Sequence, residues 1–89
     1  MPVEEEQLRS LLSGTAAGDR EAFKTLYEAT SPRILGLLVQ LLKQRDDAED
    51  ALQDTYIKVW HRSGDYHAER GRVNTWLSSI ARYHALDIL

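Results

Sequence analysis

Hydrophobic residues recur with helical spacing along most of the chain, and the clearest case runs from Asp46 to Arg62. Seven residues there follow the i, i+3, i+4, i+7 spacing of one buried helical stripe. They are Ala48, Ala51, Leu52, Thr55, Tyr56, Val59 and Trp60. Asp46 is the predicted N-cap, with Glu49 three residues later as in a capping box. The pattern leaves an outward strip of two carboxylates, an amide and an aliphatic side chain: Asp50, Gln53, Asp54 and Ile57.

The preceding sequence predicts two helices. Leucines at 8, 11 and 12 indicate a short first helix, with a break predicted at Ser13-Gly14 and then at Ala17-Gly18-Asp19. Asp19 is the expected cap of a second helix over residues 20–43. Pro32 predicts that this helix is kinked or divided into two nearly collinear helices, and Gly36 suggests a close neighbour.

The sequence changes character after Trp60. Residues 63–71 have turn formers at both ends and no helical period, which predicts a loop of more than usual length. A last helix follows from Arg72, with a predicted inward face of Val73, Trp76, Leu77, Ile80, Ala81, His84 and Ile88. Both tryptophans lie on predicted buried stripes, so core packing is favoured over nucleic-acid stacking for them. No strand-like alternation is present, and the predicted class is all-α, a compact bundle of about three to four helices with a long loop before the last.

Composition limits the function. The chain has 89 residues with 43% hydrophobic content, enough for one small core but too few for a deep catalytic cleft with its own scaffold. We see no nucleophile–base or carboxylate pair suited to catalysis, so an enzyme is not expected. The three histidines, at 61, 67 and 84, lack a tight helical ligand pair, and we expect neither a metal nor another cofactor.

Charge and hydropathy add two expectations. The chain has no cysteine, no basic N-terminus typical of a signal peptide and no apolar stretch long enough for membrane insertion, so the cytoplasm is the expected compartment. The net charge is −3, but residues 46–54 carry five acids and no base, whereas residues 55–89 carry five bases, three acids and three histidines. Separate acidic and basic patches can serve two different partners.

Four groups of residues in register carry a family resemblance: 18–27 (GDREAFKTLY), 48–60 (AEDALQDTYIKVW), Arg70-Gly71 before Thr75-Trp76-Leu77, and Ile80-Ala81-Arg82 with Ala85-Leu86-Asp87. Together they resemble the second region of bacterial RNA polymerase sigma factors of the extracytoplasmic-function type. The resemblance covers residues 14–89 and leaves residues 1–13 as an acidic N-terminal segment with a short helix. The last helix has no closing signal, so we expect more protein downstream, including the separate domain that reads the promoter −35 element in this family.

The resemblance implies a helical domain that docks on the coiled-coil clamp of the largest polymerase subunit and melts the promoter −10 element. Asp50, Gln53 and Asp54 match the clamp-binding motif, with Ile57 beside them. The loop at 63–71 matches the segment that receives a base flipped out of the non-template strand. The DNA contacts implied are Asp65, Tyr66, His67, Arg70, Arg72, Ser79, Arg82 and Tyr83, with Lys58 and Arg62 as further phosphate contacts. For Tyr66, packing on the core is an equal alternative.

Two positions depart from the family pattern. Tyr83 and His84 stand where the family usually has Asn and Arg. We expect Tyr83 on the outward face, giving an altered −10 preference through stacking, and His84 as a packed or capping residue. Such factors are commonly held inactive by an anti-sigma protein, which we also expect here. The alternative is a purely protein-binding helical module, because the acidic strip requires no DNA.

Overall fold

The helical spacing of apolar residues produces four α-helices in a computed structural model that describes residues 4–89. Helix α1 spans Glu5–Ala16, α2 Arg20–Leu42, α3 Arg45–Arg62 and α4 Val73–Ile88. The connection between α3 and α4 contains two short 3-10 helices, Ser63–Asp65 and Ala68–Arg70. Residues 1–3 of the predicted N-terminal segment lie outside the described residues. The all-α class and the long loop before the last helix are confirmed.

Helix α1 packs directly on α2. It begins with a capping box, in which the Glu4 backbone N–H donates to Oε1 of Gln7 at 3.2 Å. The predicted break at Ser13-Gly14 is wrong, since α1 continues to Ala16. A Cβ atom at Gly14 would lie 2.8 Å from the Cβ of Ala22 on α2, so this glycine permits close helix packing. The chain turns instead at Gly18, where φ is +89°.

Helix α2 is one continuous helix. The predicted cap is confirmed, because Oδ1 of Asp19 accepts hydrogen bonds from the Glu21 and Ala22 backbone N–H groups at 3.0 and 3.3 Å. Pro32 lies inside the helix on its exposed face, where water can bond the carbonyl that the missing N–H leaves free. The neighbour predicted at Gly36 is absent among the described residues, because a Cβ there would meet nothing within 4 Å.

Helix α3 begins two residues earlier than the predicted Asp46 cap implies. Its N-cap is Gln44, in extended conformation, without a side-chain capping bond. The predicted Asp46 cap is therefore wrong: Lys43 adopts the left-handed conformation that ends α2, and the chain re-enters a helix at Arg45. Glu49 is engaged by Arg45, with Nε and Oε1 2.9 Å apart.

All four helices contribute to one hydrophobic core. Six of the seven predicted inward residues of α3 are buried, and Trp60 is half-buried. On α4 the predicted residues Val73, Leu77, Ile80 and Ala81 are buried, but Ile88 is 53% exposed. The inward assignment of Ile88 is wrong, because the buried stretch of this helix ends one turn earlier at Ala85.

A buried pair of hydroxyl groups joins α2 to α3. The Thr30 Oγ1 and Tyr56 Oη atoms are 2.6 Å apart, and Thr30 is also bonded to the Leu26 carbonyl at 2.7 Å. Tyr27 packs edge-on against Tyr56, with ring centroids 4.8 Å apart. Burial raises the pKa of Tyr56 to about 12, although the Thr30 hydrogen bond opposes this effect.

This pKa predicts a loss of stability at alkaline pH. The unfolded chain releases the Tyr56 proton near pH 10.0 and the folded chain only near 12, so the contribution is present below pH 10.0 and is lost as the pH rises through that window. The free energy of unfolding should fall by ~2–3 kcal/mol more in the wild type than in Tyr56→Phe, measured by urea unfolding. Tyr83→Phe is the control, because Tyr83 is 72% exposed. If the free energy of unfolding fell equally at alkaline pH in the wild type and Tyr56→Phe, the raised pKa of Tyr56 would be contradicted.

Candidate polymerase and nucleic-acid interfaces

The outward strip predicted on α3 is exposed along its whole length. Asp50, Gln53, Asp54 and Ile57 all face solvent, and 56% of the Ile57 surface is accessible. Spacings of three and four residues place neighbouring members on one face of the helix. The buried stripe on the opposite side fixes this orientation, so the strip is presented on a rigid element. We call these four residues the α3 strip.

An apolar groove borders one side of the α3 strip. Gln53 and Ile57 line it together with four aromatic residues, Phe23, Tyr27, Tyr56 and Trp60, and its volume is about 640 Å³. The Phe23 and Trp60 rings meet edge-on with centroids 5.2 Å apart. The helical period assigned Tyr56 and Trp60 to the core, and both pack there. It does not reveal that the half-buried rings of Phe23, Tyr27 and Trp60 also form an open surface.

The other side of the α3 strip contacts α4. Asp50 and Asp54 line a hollow of about 310 Å³ that also includes Asp47 and His84. The Lys58 Nζ atom lies 3.0 Å from Nδ1 of His84, and Nε2 of the same ring lies 3.4 Å from Oδ2 of Asp54. His84 is therefore the packed residue that the sequence suggested, and it joins two charged side chains of α3. Lys58, which the sequence offered for a phosphate, is held in this contact.

A cleft of about 400 Å³ lies between the loop and the first turns of α4. Six of the eight predicted DNA contacts line it: Asp65, Tyr66, His67, Arg70, Arg72 and Ser79. Arg62, Gly71, Thr75 and Trp76 complete the lining. The remaining two predicted contacts, Arg82 and Tyr83, lie outside the cleft on the exposed face of α4. We call this space the loop cleft; it shares no lining residue with the groove or the hollow beside the α3 strip.

Tyr66 and His67 are adjacent in sequence but have different environments. The Tyr66 ring is half-buried against Trp76, edge-on with centroids 5.7 Å apart, and its hydroxyl donates to the Gly71 carbonyl at 2.7 Å. His67 is exposed, and its Nδ1 atom is 3.8 Å from the Glu69 carboxylate. Tyr66 thus forms a fixed wall of the loop cleft, whereas the His67 ring is available to a ligand.

Positive charge surrounds the loop cleft. Arg70, Arg72 and Arg82 are exposed and form no ion pair within residues 4–89, whereas Arg62 lies 3.8 Å from Asp65. The pKa of the nearby Arg9 guanidinium is raised above its ordinary value. The Tyr66 hydroxyl is the main cause and Glu5 adds to it, whereas burial acts in the opposite direction.

Among residues 4–89, no three side chains cluster in a way that could hold a metal ion. None of the helices described is sufficiently long and apolar to cross a bilayer.

Comparisons with known proteins concern the family of this chain. Residues 26–89 match the family model described as sigma-70 region 2. The matched residues include α3, the residues that line the loop cleft, and α4. An ECF RNA polymerase sigma factor SigK of Mycobacterium ulcerans is 34% identical over 86 residues, covering 97% of this chain and 46% of the relative. The SigK of Mycolicibacterium vanbaalenii is 32% identical over 87 residues, covering 98% of this chain and 44% of the relative.

The chain therefore belongs to the sigma-70 family and corresponds to region 2 of the extracytoplasmic-function type. A SigK of Mycobacterium tuberculosis extends the similarity, at 30% identity over 80 residues, 90% of this chain and 43% of the relative. The chain thus spans less than half the length of these relatives.

The Tyr66 hydroxyl bond predicts a measurable structural role for this residue. Tyr66→Phe should lower the free energy of unfolding by about 1 kcal/mol, because it leaves the half-buried Gly71 carbonyl without its donor. Tyr83→Phe should change it by less than about 0.5 kcal/mol, since Tyr83 is exposed. Urea unfolding followed by circular dichroism measures both free energies. If Tyr66→Phe left the free energy of unfolding unchanged, the role of Tyr66 as a fixed wall of the loop cleft would be contradicted.

Proposed function

We propose that this chain is the promoter −10 recognition and melting domain of an alternative sigma factor, a binding module that directs RNA polymerase to initiate transcription. The observation that carries the proposal is the convergence of six predicted DNA contacts on one cleft, on a different surface from the α3 strip. A melting domain needs both surfaces at once, since it must hold the polymerase and single-stranded DNA together.

The α3 strip is the proposed polymerase surface. Its carboxylates, Asp50 and Asp54, can accept charge-assisted hydrogen bonds from arginines on a coiled coil. Gln53 can fix the register, and Ile57 extends the contact into the apolar groove, which could receive an apolar side chain of the clamp. The same strip is accessible to an anti-sigma protein, which we propose as a further partner. The cytoplasm, where polymerase and promoter DNA meet, is the proposed compartment.

The loop cleft is the proposed site for a base extruded from the non-template strand. Extrusion costs a few kcal/mol, which stacking and hydrogen bonds to the base edge must recover. His67 offers an exposed ring for stacking, and Asp65 offers a hydrogen-bond acceptor. The exposed guanidinium groups of Arg70, Arg72 and Arg82 can hold the flanking phosphates. Ser79 lines the cleft, although its hydroxyl already donates to the Thr75 carbonyl at 3.1 Å.

Tyr83 is proposed to contact the DNA beyond the cleft. Its side chain is 72% exposed on the same helix as Ser79 and Arg82. A phenol offers a stacking face and one hydroxyl, whereas the family's usual asparagine offers a donor and an acceptor to a base edge. We therefore propose that Tyr83 gives this protein a −10 preference different from that of relatives with asparagine.

Removal of two strip side chains should separate docking from folding. Gln53→Ala with Asp54→Ala should weaken binding to the polymerase core while changing the free energy of unfolding by less than about 0.5 kcal/mol, because both residues are exposed. The matched control is Glu6→Ala with Gln40→Ala, which removes one exposed carboxylate and one exposed amide elsewhere. Unchanged core binding by a folded strip variant would exclude the strip as the polymerase surface.

Removal of the exposed loop ring should weaken DNA binding. His67→Ala should reduce affinity for single-stranded −10 DNA by about 1–3 kcal/mol if the ring stacks on a base. His61→Ala is the control, since His61 is exposed on the last turn of α3 and does not line the loop cleft. Fluorescence titrations at several salt concentrations distinguish stacking from phosphate contacts. Equal affinities of the two variants would contradict the stacking role.

A purely protein-binding module is the second candidate, and the apolar groove beside the α3 strip is the observation that favours it. The same titrations decide between the two. A wild-type protein that binds the polymerase core but does not bind −10 single strands at any salt concentration would support the second candidate.

A further inference from the structure

Glu5, on the first turn of α1, reaches across the molecule to α4. Its Oε2 and Oε1 atoms accept hydrogen bonds from the Val73 backbone N–H at 3.0 and 3.3 Å. Arg9 holds the same carboxylate from one turn later, with Nε 3.0 Å from Oε2. Only 13% of the Glu5 side chain is exposed. A surface acid of an ordinary amphipathic helix would be more exposed and would have no such distant partner.

The contact supplies a cap that α4 lacks in its own sequence. The N-cap residue of α4 is Arg72, whose side chain has no acceptor and makes no capping bond. The first N–H groups of a helix need acceptors, and the positive end of the helix dipole favours a carboxylate. Glu5 meets both needs from 68 residues away in sequence.

The same carboxylate is close to the wall of the loop cleft. Oε2 of Glu5 lies 3.4 Å from the Tyr66 hydroxyl, whose shorter bond goes to the Gly71 carbonyl. Tyr66, Gly71 and Arg72 all line the cleft, and Val73 follows directly. Glu5 therefore contacts the structure at two points, at the middle of the loop and at the start of α4, and fixes the distance between them.

We infer that Glu5 is a positioning residue for the loop cleft, and that α1 holds the cleft in the conformation that binds an extruded base. The inference rests on the proposed DNA-binding function. It goes beyond the family match, because that match begins at residue 26 and α1 ends at Ala16. Glu5 does not touch the DNA in this account; it acts through Tyr66 and the Val73 N–H.

The sign of the effect separates positioning from simple charge. Removal of an acid from a DNA-binding protein should raise DNA affinity, because repulsion of the phosphates is reduced. Positioning predicts the opposite for Glu5→Ala. If the competent cleft falls to between about a tenth and a third of the molecules, affinity for single-stranded −10 DNA falls about three- to tenfold. Glu6→Ala removes the same charge from the adjacent, exposed position and should not weaken binding.

The experiment compares the wild type, Glu5→Ala, Glu5→Gln and Glu6→Ala under conditions where urea unfolding shows each variant to be folded. Titration with fluorescent −10 single strands gives DNA affinity, and amide hydrogen exchange of Val73 reports the cap. Glu5→Ala should lose affinity and exchange Val73 faster, and binding to the polymerase core through the α3 strip should not change. Glu5→Gln keeps an acceptor for the Val73 N–H and should recover part of both losses.

The possible results are distinct. Equal DNA affinities of Glu5→Ala and Glu6→Ala would overturn the inference and leave the proposed function intact. A parallel loss of DNA and core binding would also overturn it, since that would mark a general structural defect. Absence of −10 binding by the wild type would instead overturn the proposed function on which the inference rests.

Discussion

The arrangement of this domain depends on the one-sided burial of α3. Six of its residues are buried, and four of them, Ala48, Ala51, Thr55 and Val59, have essentially no exposed surface. Small residues at such positions let α2 and α4 pack closely, and close packing leaves the helix no freedom to rotate. The side that faces away is therefore fixed too, and it is the α3 strip. A change that rotated α3 would move the strip, the apolar groove and the contact to His84 together.

Helical period predicted most of this core, because the energy that selects the inward face is the burial of apolar area, which the sequence shows directly. The predicted helix ends were wrong where a residue has a role that its residue type does not usually have. Gly14 is a residue type that often interrupts a helix, yet here it lies within α1 and permits close contact with Ala22 of α2. Asp46 is a residue type that favours the N-cap position, yet α3 begins before it. The reason is that Lys43 ends α2 in the left-handed conformation and the chain re-enters a helix at Arg45. At Gly14 the neighbouring helix α2 decides the outcome, and at Asp46 it is the left-handed backbone conformation of Lys43, which its residue type does not indicate.

The sequence likewise predicted the candidate sites only in part. Helical period located the α3 strip, and the family resemblance supplied its predicted role and the eight predicted DNA contacts. Six of those eight residues line one cleft in the structure. The sequence did not decide the environment of Tyr66, since packing and base contact use the same aromatic ring. Its hydrogen bond to the Gly71 carbonyl and its edge-on ring contact with Trp76 assign it to the wall of the loop cleft. The role of Glu5 could not be predicted, because no sequence signal joins residues 68 positions apart. Nor did the sequence indicate the contact of Lys58 with His84.

The net charge also acquires a physical meaning. The average charge of −3 makes the chain a poor candidate for nucleic-acid binding, but five of its fourteen acids lie at residues 46–54 on α3. Arg70, Arg72 and Arg82, which form no ion pair within residues 4–89, lie instead at the loop cleft and on α4. The most direct test of the two-surface account is a chemical-shift map of the isotope-labelled protein, titrated separately with −10 single-stranded DNA and with a peptide of the polymerase clamp. The account predicts that DNA shifts amides at residues 63–83 and that the peptide shifts those of the α3 strip, with little overlap. Shifts from both ligands on one common surface, or DNA-induced shifts outside the loop and α4, would contradict it.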